Sequence, residues 1–331
     1  MQKFIHSVFI VTAVGLLVLA WSGCSPQAKK ARHLAQADRY FADGKYDEAE
    51  IEYKNVLQLE ALNPQAISRL GVIYFNEGSV GRAAPFLLKG SELQPDNLDL
   101  RLKLGLILLG SGKAKEAHDA AEFILSRKPD DPDAPMLLAE AAVQPNDIAA
   151  ARQRLQQLSP PPTQSAPVLV ALGMLDLRQG KSKDAEASFQ KAHAVDPKSS
   201  PANSALGLLY KSQNDLPHAD EALAAAAAES PLRSGRRLAY AQFKIQTGAV
   251  DAGRHMLEEM TQKTPDYLPA RLALAQIAAN DKKYDEADAQ IAKVLAKDAA
   301  HPEALLLRAN IRLAKGENDL AVKQLENMLQ L

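Results

Sequence analysis

The stretch GKYDEAEIEY, residues 44 to 53, sets a pattern that the rest of the chain follows. It opens on a glycine, places Ala49 five residues later and Tyr53 four residues after that. Glycine tolerates the left-handed backbone at which many helices end, and residues four apart share one face of a helix. The stretch therefore predicts the end of one helix, a tight turn and the start of a second helix.

The same pattern returns every 34 residues along the chain. The positions in phase with Gly44 are Gly78, Gly112, Asn146, Gly180, Asn214, Gly248, Lys282 and Gly316. The residue five places later is alanine in eight of the nine units and Gly253 in the other. A repeat of this length, held without insertion or deletion, predicts paired helices that stack against their neighbours in sequence.

A further marker precedes each turn. Leu-Gly pairs lie seven residues ahead of several of these positions, and tyrosines recur near them. The pairs are Leu70-Gly71, Leu104-Gly105, Leu172-Gly173 and Leu206-Gly207, and the tyrosines are Tyr40, Tyr74 and Tyr210. With GKYDEAEIEY and the 34-residue period, these residues resemble the tetratricopeptide repeat. The resemblance implies an all-α fold, a right-handed α-solenoid of about nine helix-turn-helix units whose first helices line a concave wall.

On this register the repeats span 30–63, 64–97, 98–131, 132–165, 166–199, 200–233, 234–267, 268–301 and 302–331. The last unit stops at its thirtieth position on an apolar sequence, whereas terminal repeats usually carry a polar outer face. We expect either a longer protein that continues after Leu331 or self-association through the last repeat.

The first residues have a different composition. Residues 1–3 carry positive charge, an apolar run follows from Phe4 to Trp21, and the run ends in Ser22-Gly23-Cys24. A charged start, an apolar middle and a small-residue end predict a secretory signal peptide over residues 1–23, formed as an apolar helix. The leucine-rich run before Cys24 resembles the lipobox of bacterial lipoproteins. This resemblance implies a lipid on Cys24 that holds the protein on a membrane, with 24–29 as a short linker.

Two alternatives to lipidation stay open. Trp21 departs from the lipobox, which usually has leucine there, so ordinary cleavage after Ser22 would give a secreted or periplasmic protein. The apolar run is also near the lower length limit of a membrane-spanning helix, which would leave an uncleaved anchor. Ser25, where lipoproteins kept in the inner membrane commonly have aspartate, favours the outer membrane by the same resemblance; inner-membrane anchoring is the alternative.

Composition and motifs indicate binding rather than chemistry. The chain has 39 basic and 40 acidic residues, a balance that gives no broad electrostatic surface for nucleic acid. Its seven histidines lack metal-ligand spacing, and its single cysteine cannot form an internal disulfide. We therefore expect no enzymatic activity, no cofactor, no metal and no nucleic acid partner.

The tetratricopeptide resemblance also implies a partner-binding groove along the first helices. Its groove positions carry Phe41, Phe75, Leu106, Leu109, Met136, Met174, Leu177, Gln242 and Ile245. We expect an apolar groove that takes an extended or helical apolar segment of a partner protein. The alternative is that these side chains only pack against the next helix.

The function predicted from these patterns is a protein-protein interaction scaffold of the bacterial cell envelope, in assembly, export, or exopolysaccharide or pilus biogenesis. Envelope pathways enter only by analogy with lipidated tetratricopeptide proteins. The alternative function is a non-catalytic arm of a longer enzyme or signalling protein that continues beyond Leu331.

Overall fold

The computed structural model describes residues 25–158, 161 and 164–329, and within these residues the chain forms 18 α-helices and no strand. This confirms the predicted all-α class. The proposed signal peptide, Cys24 and the last two residues lie outside the described part of the chain.

The helices are short and follow one another through tight turns. In chain order they are α1 Pro26–Ala42, α2 Tyr46–Leu59, α3 Pro64–Glu77, α4 Val80–Leu93, α5 Leu98–Gly110, α6 Ala114–Arg127, α7 Ala134–Ala141, α8 Pro145–Gln156, α9 Ala166–Arg178, α10 Ser182–Val195, α11 Ser200–Ser212, α12 Leu216–Ala228, α13 Gly235–Gln246, α14 Val250–Lys263, α15 Leu268–Asn280, α16 Tyr284–Lys297, α17 Pro302–Ala314 and α18 Asn318–Met328. Each odd-numbered helix is the first helix of a hairpin, and the even-numbered helix after it is the second.

The turns inside the hairpins use the predicted positions in eight of nine cases. Gly44, Gly78 and their equivalents have positive φ, and so do Asn214 and Lys282, each at 61°. Asparagine visits this left-handed region at low cost, whereas lysine does so against its steric preference. The repeat geometry therefore holds Lys282 in a conformation that its side chain does not favour.

Repeat 4 is the exception, and here the predicted helix end at Asn146 was wrong. Asn146 is the second residue of α8 and has no positive φ. Pro145 explains the change, since proline is suited to the first turn of a helix but cannot continue one. The first helix accordingly ends at Ala141, and α7 packs against α6 and α9 more than against its partner α8.

The start of the first repeat also differs from the prediction. Residues 24–29 were expected to be a linker, but α1 begins at Pro26. Ser25 caps this helix, because its hydroxyl oxygen accepts a hydrogen bond from the Ala28 amide at 3.1 Å. Serine before proline is a strong helix-start signal. It shortens the predicted linker to the residues before Pro26.

The core consists of successive apolar clusters, each shared by neighbouring hairpins. Glycines allow first and second helices to cross closely: a Cβ added at Gly173 would lie 2.7 Å from Cδ1 of Phe189. In the part of the chain that the structure describes, no helix combines the length and the apolar character that a membrane crossing requires.

The two ends of the solenoid meet. The turns inside repeats 1 and 2 contact the segments between repeats 6 and 9, and a hydrogen bond joins Ser79 Oγ to Asp298 Oδ2 at 2.5 Å, 219 residues apart in sequence. We call this contact the seam. Its two sides consist of Gly44, Tyr46, Asp47, Gly78, Ser79 and Arg82, and of Arg233, Asp266, Pro269, Lys297 and Asp298.

Candidate functional site

First helices from both halves of the chain line an open inner cavity of about 1350 Å³. Helices α3 and α5 supply one wall, α13 and α15 the other, and the seam lies at its border. Its lining includes Phe75, Leu106, Leu238, Gln242, Leu272 and Gln276. The cavity lining is mainly apolar; its polar members are the amides of Gln242 and Gln276 and, towards the seam and the last repeat, Arg82, Asp298, His301 and Glu303. Such a lining suits an apolar segment whose few polar groups need partners.

Three of the nine predicted groove residues, Phe75, Leu106 and Gln242, line this cavity. Phe75 is half-buried beneath Lys103, whose ammonium lies 5.7 Å from the ring centroid. Leu106 is 38% exposed, which is unusual for a leucine on the inner face of a helix. Leu106 therefore presents apolar surface to the cavity, whereas Phe75 both lines the cavity and packs against the apolar cluster of the first repeats.

The other six predicted residues lie elsewhere along the first helices. Phe41 stacks on Tyr46 with ring centroids 5.5 Å apart and lies under the Arg69 guanidinium. The remaining five split between core packing and exposure: Leu109, Met136, Met174 and Ile245 pack against apolar clusters, and Leu177 is 39% exposed. For Leu109, Met136, Met174 and Ile245, the structure matches the alternative of packing against neighbouring helices.

A charged group that the sequence patterns did not indicate lies between repeats 4 and 7. Arg236, near the start of α13, interacts electrostatically with Asp133 and Glu140 of repeat 4. Burial lowers the pKa of Arg236, and burial likewise raises the pKa values of Asp133 and Glu140. The groove that was expected to be apolar through its middle therefore carries charge there.

Arg233 is the central residue of the seam. Its Nε donates to Asp266 Oδ1 at 3.1 Å, and its Nη2 donates to Asp266 Oδ2 at 2.7 Å and to the Gly44 carbonyl at 3.1 Å. The guanidinium also lies 4.3 Å from the Tyr46 ring centroid. A planar guanidinium can make these contacts at once, which an ammonium cannot. Arg233 thus ties the first turn of the chain to repeats 6 and 7.

A second set of seam contacts joins repeat 2 to repeat 8. Arg82 Nη1 donates to the Lys297 carbonyl at 2.9 Å, and Lys297 forms an ion pair with Asp47 of repeat 1. Gly78 packs so closely that an added Cβ would lie 2.6 Å from Pro269 Cδ. No local sequence motif marks these residues. Each side of the seam has the sequence of an ordinary turn, and its role depends on contacts with repeats that are distant in sequence.

Three carboxylates gather at the seam, with one oxygen each of Asp47, Glu77 and Asp266 within 4.8 Å of the others. By distance alone this group could hold a metal ion. However, each of these carboxylates has a basic residue beside it. Arg233 pairs with Asp266, and Lys297 pairs with Asp47. Arg82 lies 3.9 Å from Glu77. These positive charges oppose a cation there, so we assign the group to the ion-pair network of the seam.

A solenoid of helix hairpins around an apolar inner cavity defines a helical-repeat protein built for binding. Tetratricopeptide repeat family models match residues 34–97 and 170–234, and a second such model matches 108–172 and 244–311. Together these segments span most of the chain. The chain belongs to the tetratricopeptide repeat family, as the 34-residue period predicted.

Two curated proteins show significant sequence similarity. Cellulose synthase operon protein C of Xanthomonas axonopodis pv. citri (strain 306) is 27% identical over 294 residues, which is 86% of this chain and 18% of that protein. Protein O-mannosyl-transferase TMTC1 of Homo sapiens is 34% identical over 89 residues, 27% of this chain and 10% of that protein. The chain thus spans less than a fifth of the length of these relatives.

Solved structures with similar folds include yeast Tom70, with a TM-score of 0.48, 16% identity and coverage of 92% of this chain and 77% of that chain. A thermophilic tetratricopeptide repeat protein from Thermus thermophilus has a TM-score of 0.43 and 23% identity, and the match covers 55% of this chain and 99% of that chain.

Proposed function

We propose that this protein is a non-enzymatic scaffold of the bacterial cell envelope that recruits a partner by binding its apolar segment in the inner cavity. The cavity itself carries the proposal. First helices of distant repeats contribute Phe75, Leu106, Leu238 and Leu272 to the lining of one concave space. A cluster of apolar side chains around a concavity, with Gln242 and Gln276 as the amides, is the arrangement that binds an apolar peptide segment.

The envelope setting has two supports. The N-terminal sequence resembles a lipoprotein signal ending at Cys24, which would place the repeats outside the cytoplasm on a membrane, in the outer membrane by the Ser25 criterion. Similarity to cellulose synthase operon protein C over 86% of the chain favours a role near exopolysaccharide production over one in pilus assembly or export.

The binding proposal is tested by capture from bacterial envelope extracts. Leu106→Asp with Leu238→Asp places charge in the cavity wall, while Leu88→Asp changes a leucine that is 53% exposed on α4. We expect the native protein and Leu88→Asp to retain the same partner and the double variant to lose it, with equal helical content by circular dichroism. Capture that is undiminished in the double variant contradicts binding in the cavity.

The anchor has its own test. Cells fed a clickable palmitate should label the native protein and not Cys24→Ser, and the variant should leave the membrane fraction. Labelling that is unchanged by the substitution, or a native protein without label, contradicts lipidation at Cys24.

A second candidate is a non-catalytic arm of a longer enzyme or signalling protein. The length of the two relatives favours it, since this chain matches only 10% and 18% of them. Sequencing the reading frame downstream of Leu331 decides the question: a catalytic domain there supports this candidate, and a stop codon removes it.

A further inference from the structure

The seam differs from the contacts between neighbouring repeats in what it is made of. Each hairpin meets its neighbours through shared apolar clusters, and among the described residues no apolar cluster contains members from both sides of the seam. The seam depends instead on ion pairs, hydrogen bonds and the ring of Tyr46 under Arg233. The Lys297–Asp47 pair is 29% and 49% exposed and contributes little stability, and without an apolar cluster across it the seam can open without unfolding the hairpins.

Glu77 lies at the seam in an environment that disfavours its charge. The residue is fully buried, and neither carboxylate oxygen has a hydrogen-bond partner in the part of the chain that the structure describes. Arg82 Nη1 is 3.9 Å from Oε2, which is an ion-pair distance but not a hydrogen bond. A buried carboxylate without hydrogen bonds is destabilised, and a neutral carboxyl is tolerated much better.

The groups around Glu77 come from both sides of the seam. On its own side are Glu50, Asp47 and Arg82, and on the far side are Asp266 and Lys297, with Arg233 and Asp298 next to them. Burial raises the pKa of Glu77 to about 8, the carboxylates of Glu50 and Asp266 add to the rise, and Lys297 and Arg82 oppose it. Because Asp266 and Lys297 belong to the far repeats, much of this environment exists only when the seam is closed.

We propose that repeats 1 and 2 form a gate that docks reversibly on repeats 6 to 8, and that a proton on the Glu77 carboxyl holds this gate closed over the inner cavity. The gate carries Phe75 and Gly78 of the cavity lining, and the far repeats carry Gln242 and Pro269, so opening the seam separates the two walls. Proton loss then widens the entrance to the cavity. This inference goes beyond the proposed function, because it concerns the chain alone and needs no partner.

The direction of the pH effect follows from proton linkage. The closed state binds the Glu77 proton more tightly than an open state in which that carboxyl faces water. Closure is therefore fully supported below the ordinary carboxyl range near 4.5 and is lost progressively as the pH rises towards about 8. Between pH 6.5 and pH 9.0 the closed-to-open ratio should fall about thirty-fold.

Pulsed electron paramagnetic resonance on the full chain tests this. Spin labels at Gln58→Cys and Lys293→Cys, two exposed positions on α2 and α16, report the distance across the seam in a Cys24→Ser background. We expect one narrow distance at pH 6.5 and a longer, broader distribution at pH 9.0. An identical distribution at both pH values overturns the proposal.

Three variants separate Glu77 from other causes. Glu77→Gln cannot ionise and should keep the narrow distance at pH 9.0, whereas Glu92→Gln, an exposed carboxylate paired with Lys89, should open like the native chain. His301→Gln removes the histidine whose amide donates to the Asp298 carbonyl and should keep the native pH response. If Glu77→Gln opens with pH as the native chain does, or if His301→Gln abolishes opening, Glu77 is not the responsible group.

The close packing of Gly78 against Pro269 across the seam allows a test that does not depend on titration. Gly78 and Gly112 both have positive φ, at 82° and 76°, so alanine strains both turns equally. Only at Gly78 would the new Cβ overlap Pro269; at Gly112 nothing lies within 4 Å. Gly78→Ala should therefore open the gate at pH 6.5, and Gly112→Ala should leave it closed. Equal distance distributions for the two variants contradict docking at this contact.

Discussion

The crossing inside repeat 5 and the seam between the chain's two ends are both close contacts, but they use opposite chemistry. In repeat 5 Gly173 lets α9 approach the ring of Phe189, which is 1% exposed and sits in an apolar cluster. At the seam Arg233 holds Asp266 and the Gly44 carbonyl, and the contacts are polar and charged groups rather than an apolar cluster. Apolar burial makes the first contact permanent, whereas charge pairing leaves the second open to pH and salt.

The largest expected effect lies in the apolar contact. Phe189→Ala removes a buried ring and should lower the free energy of unfolding by about 3–5 kcal/mol. Because repeat-protein stability is mostly local, hydrogen exchange should speed up first in α9 to α11. Chemical denaturation followed by circular dichroism measures the loss. Leu88→Ala, an exposed leucine on α4, is the control and should change stability by less than about 0.5 kcal/mol.

Asp266→Asn should have the next largest effect, because it breaks the pair on the far side of the seam that holds Arg233 in place. The substitution leaves Arg233, whose side chain is 17% exposed, without its carboxylate, and we expect a loss of about 2 kcal/mol in the free energy of unfolding. The matched control is Asp281→Asn. This substitution removes an ion pair with Arg254 at 2.7 Å, in which the Asp281 carboxylate is 40% exposed. A control loss as large as that of Asp266→Asn would show that burial does not strengthen the Arg233–Asp266 pair.

The crossing itself is tested by Gly173→Ala. The added Cβ would overlap the Phe189 ring, and after the helix-propensity gain of alanine we expect a net loss of about 1–2 kcal/mol. Gly81→Ala, in α4 with nothing within 4 Å of the added Cβ, should instead gain about 0.5–1 kcal/mol. A gain at both positions would mean that the ring of Phe189 moves aside freely. The double variant Gly173→Ala with Phe189→Leu should recover part of the loss.

The fold could be predicted from the 34-residue period, because the structure of each repeat depends on its own residues and on those of its neighbours. Gly173 and Ala185 are recognisable in sequence as small residues at crossings, and the structure buries Ala185 completely. The helix end in repeat 4 was predicted wrongly. Asn146 lies at the expected spacing, but Pro145, one residue earlier, determines where the second helix begins. A period shows where a turn is expected, but the residue that can or cannot continue a helix decides its position.

The site was harder to predict for a physical reason. Phe75 and Gln242 line one cavity although they lie in repeats 2 and 7, and no sequence separation reveals that the solenoid brings those repeats together. Arg233 and Glu77 look like ordinary charges next to a turn until the far end docks on them. Side chains at the usual groove positions, such as Met174, turned out to pack against apolar clusters.

The smallest expected effect is the most informative about the seam. Asp47→Asn breaks the ion pair with Lys297, in which the carboxylate is 49% and the lysine side chain 29% exposed. Pairs this open contribute about 0–1 kcal/mol, so the free energy of unfolding should fall by no more than about 0.5 kcal/mol. The distance across the seam should nevertheless lengthen, since closure rests on a few contacts of similar weakness, and about 1 M salt should lengthen it in the native chain as well. A seam unmoved by both treatments would instead be held by its other contacts, such as the buried Ser79–Asp298 hydrogen bond and the Gly78–Pro269 packing.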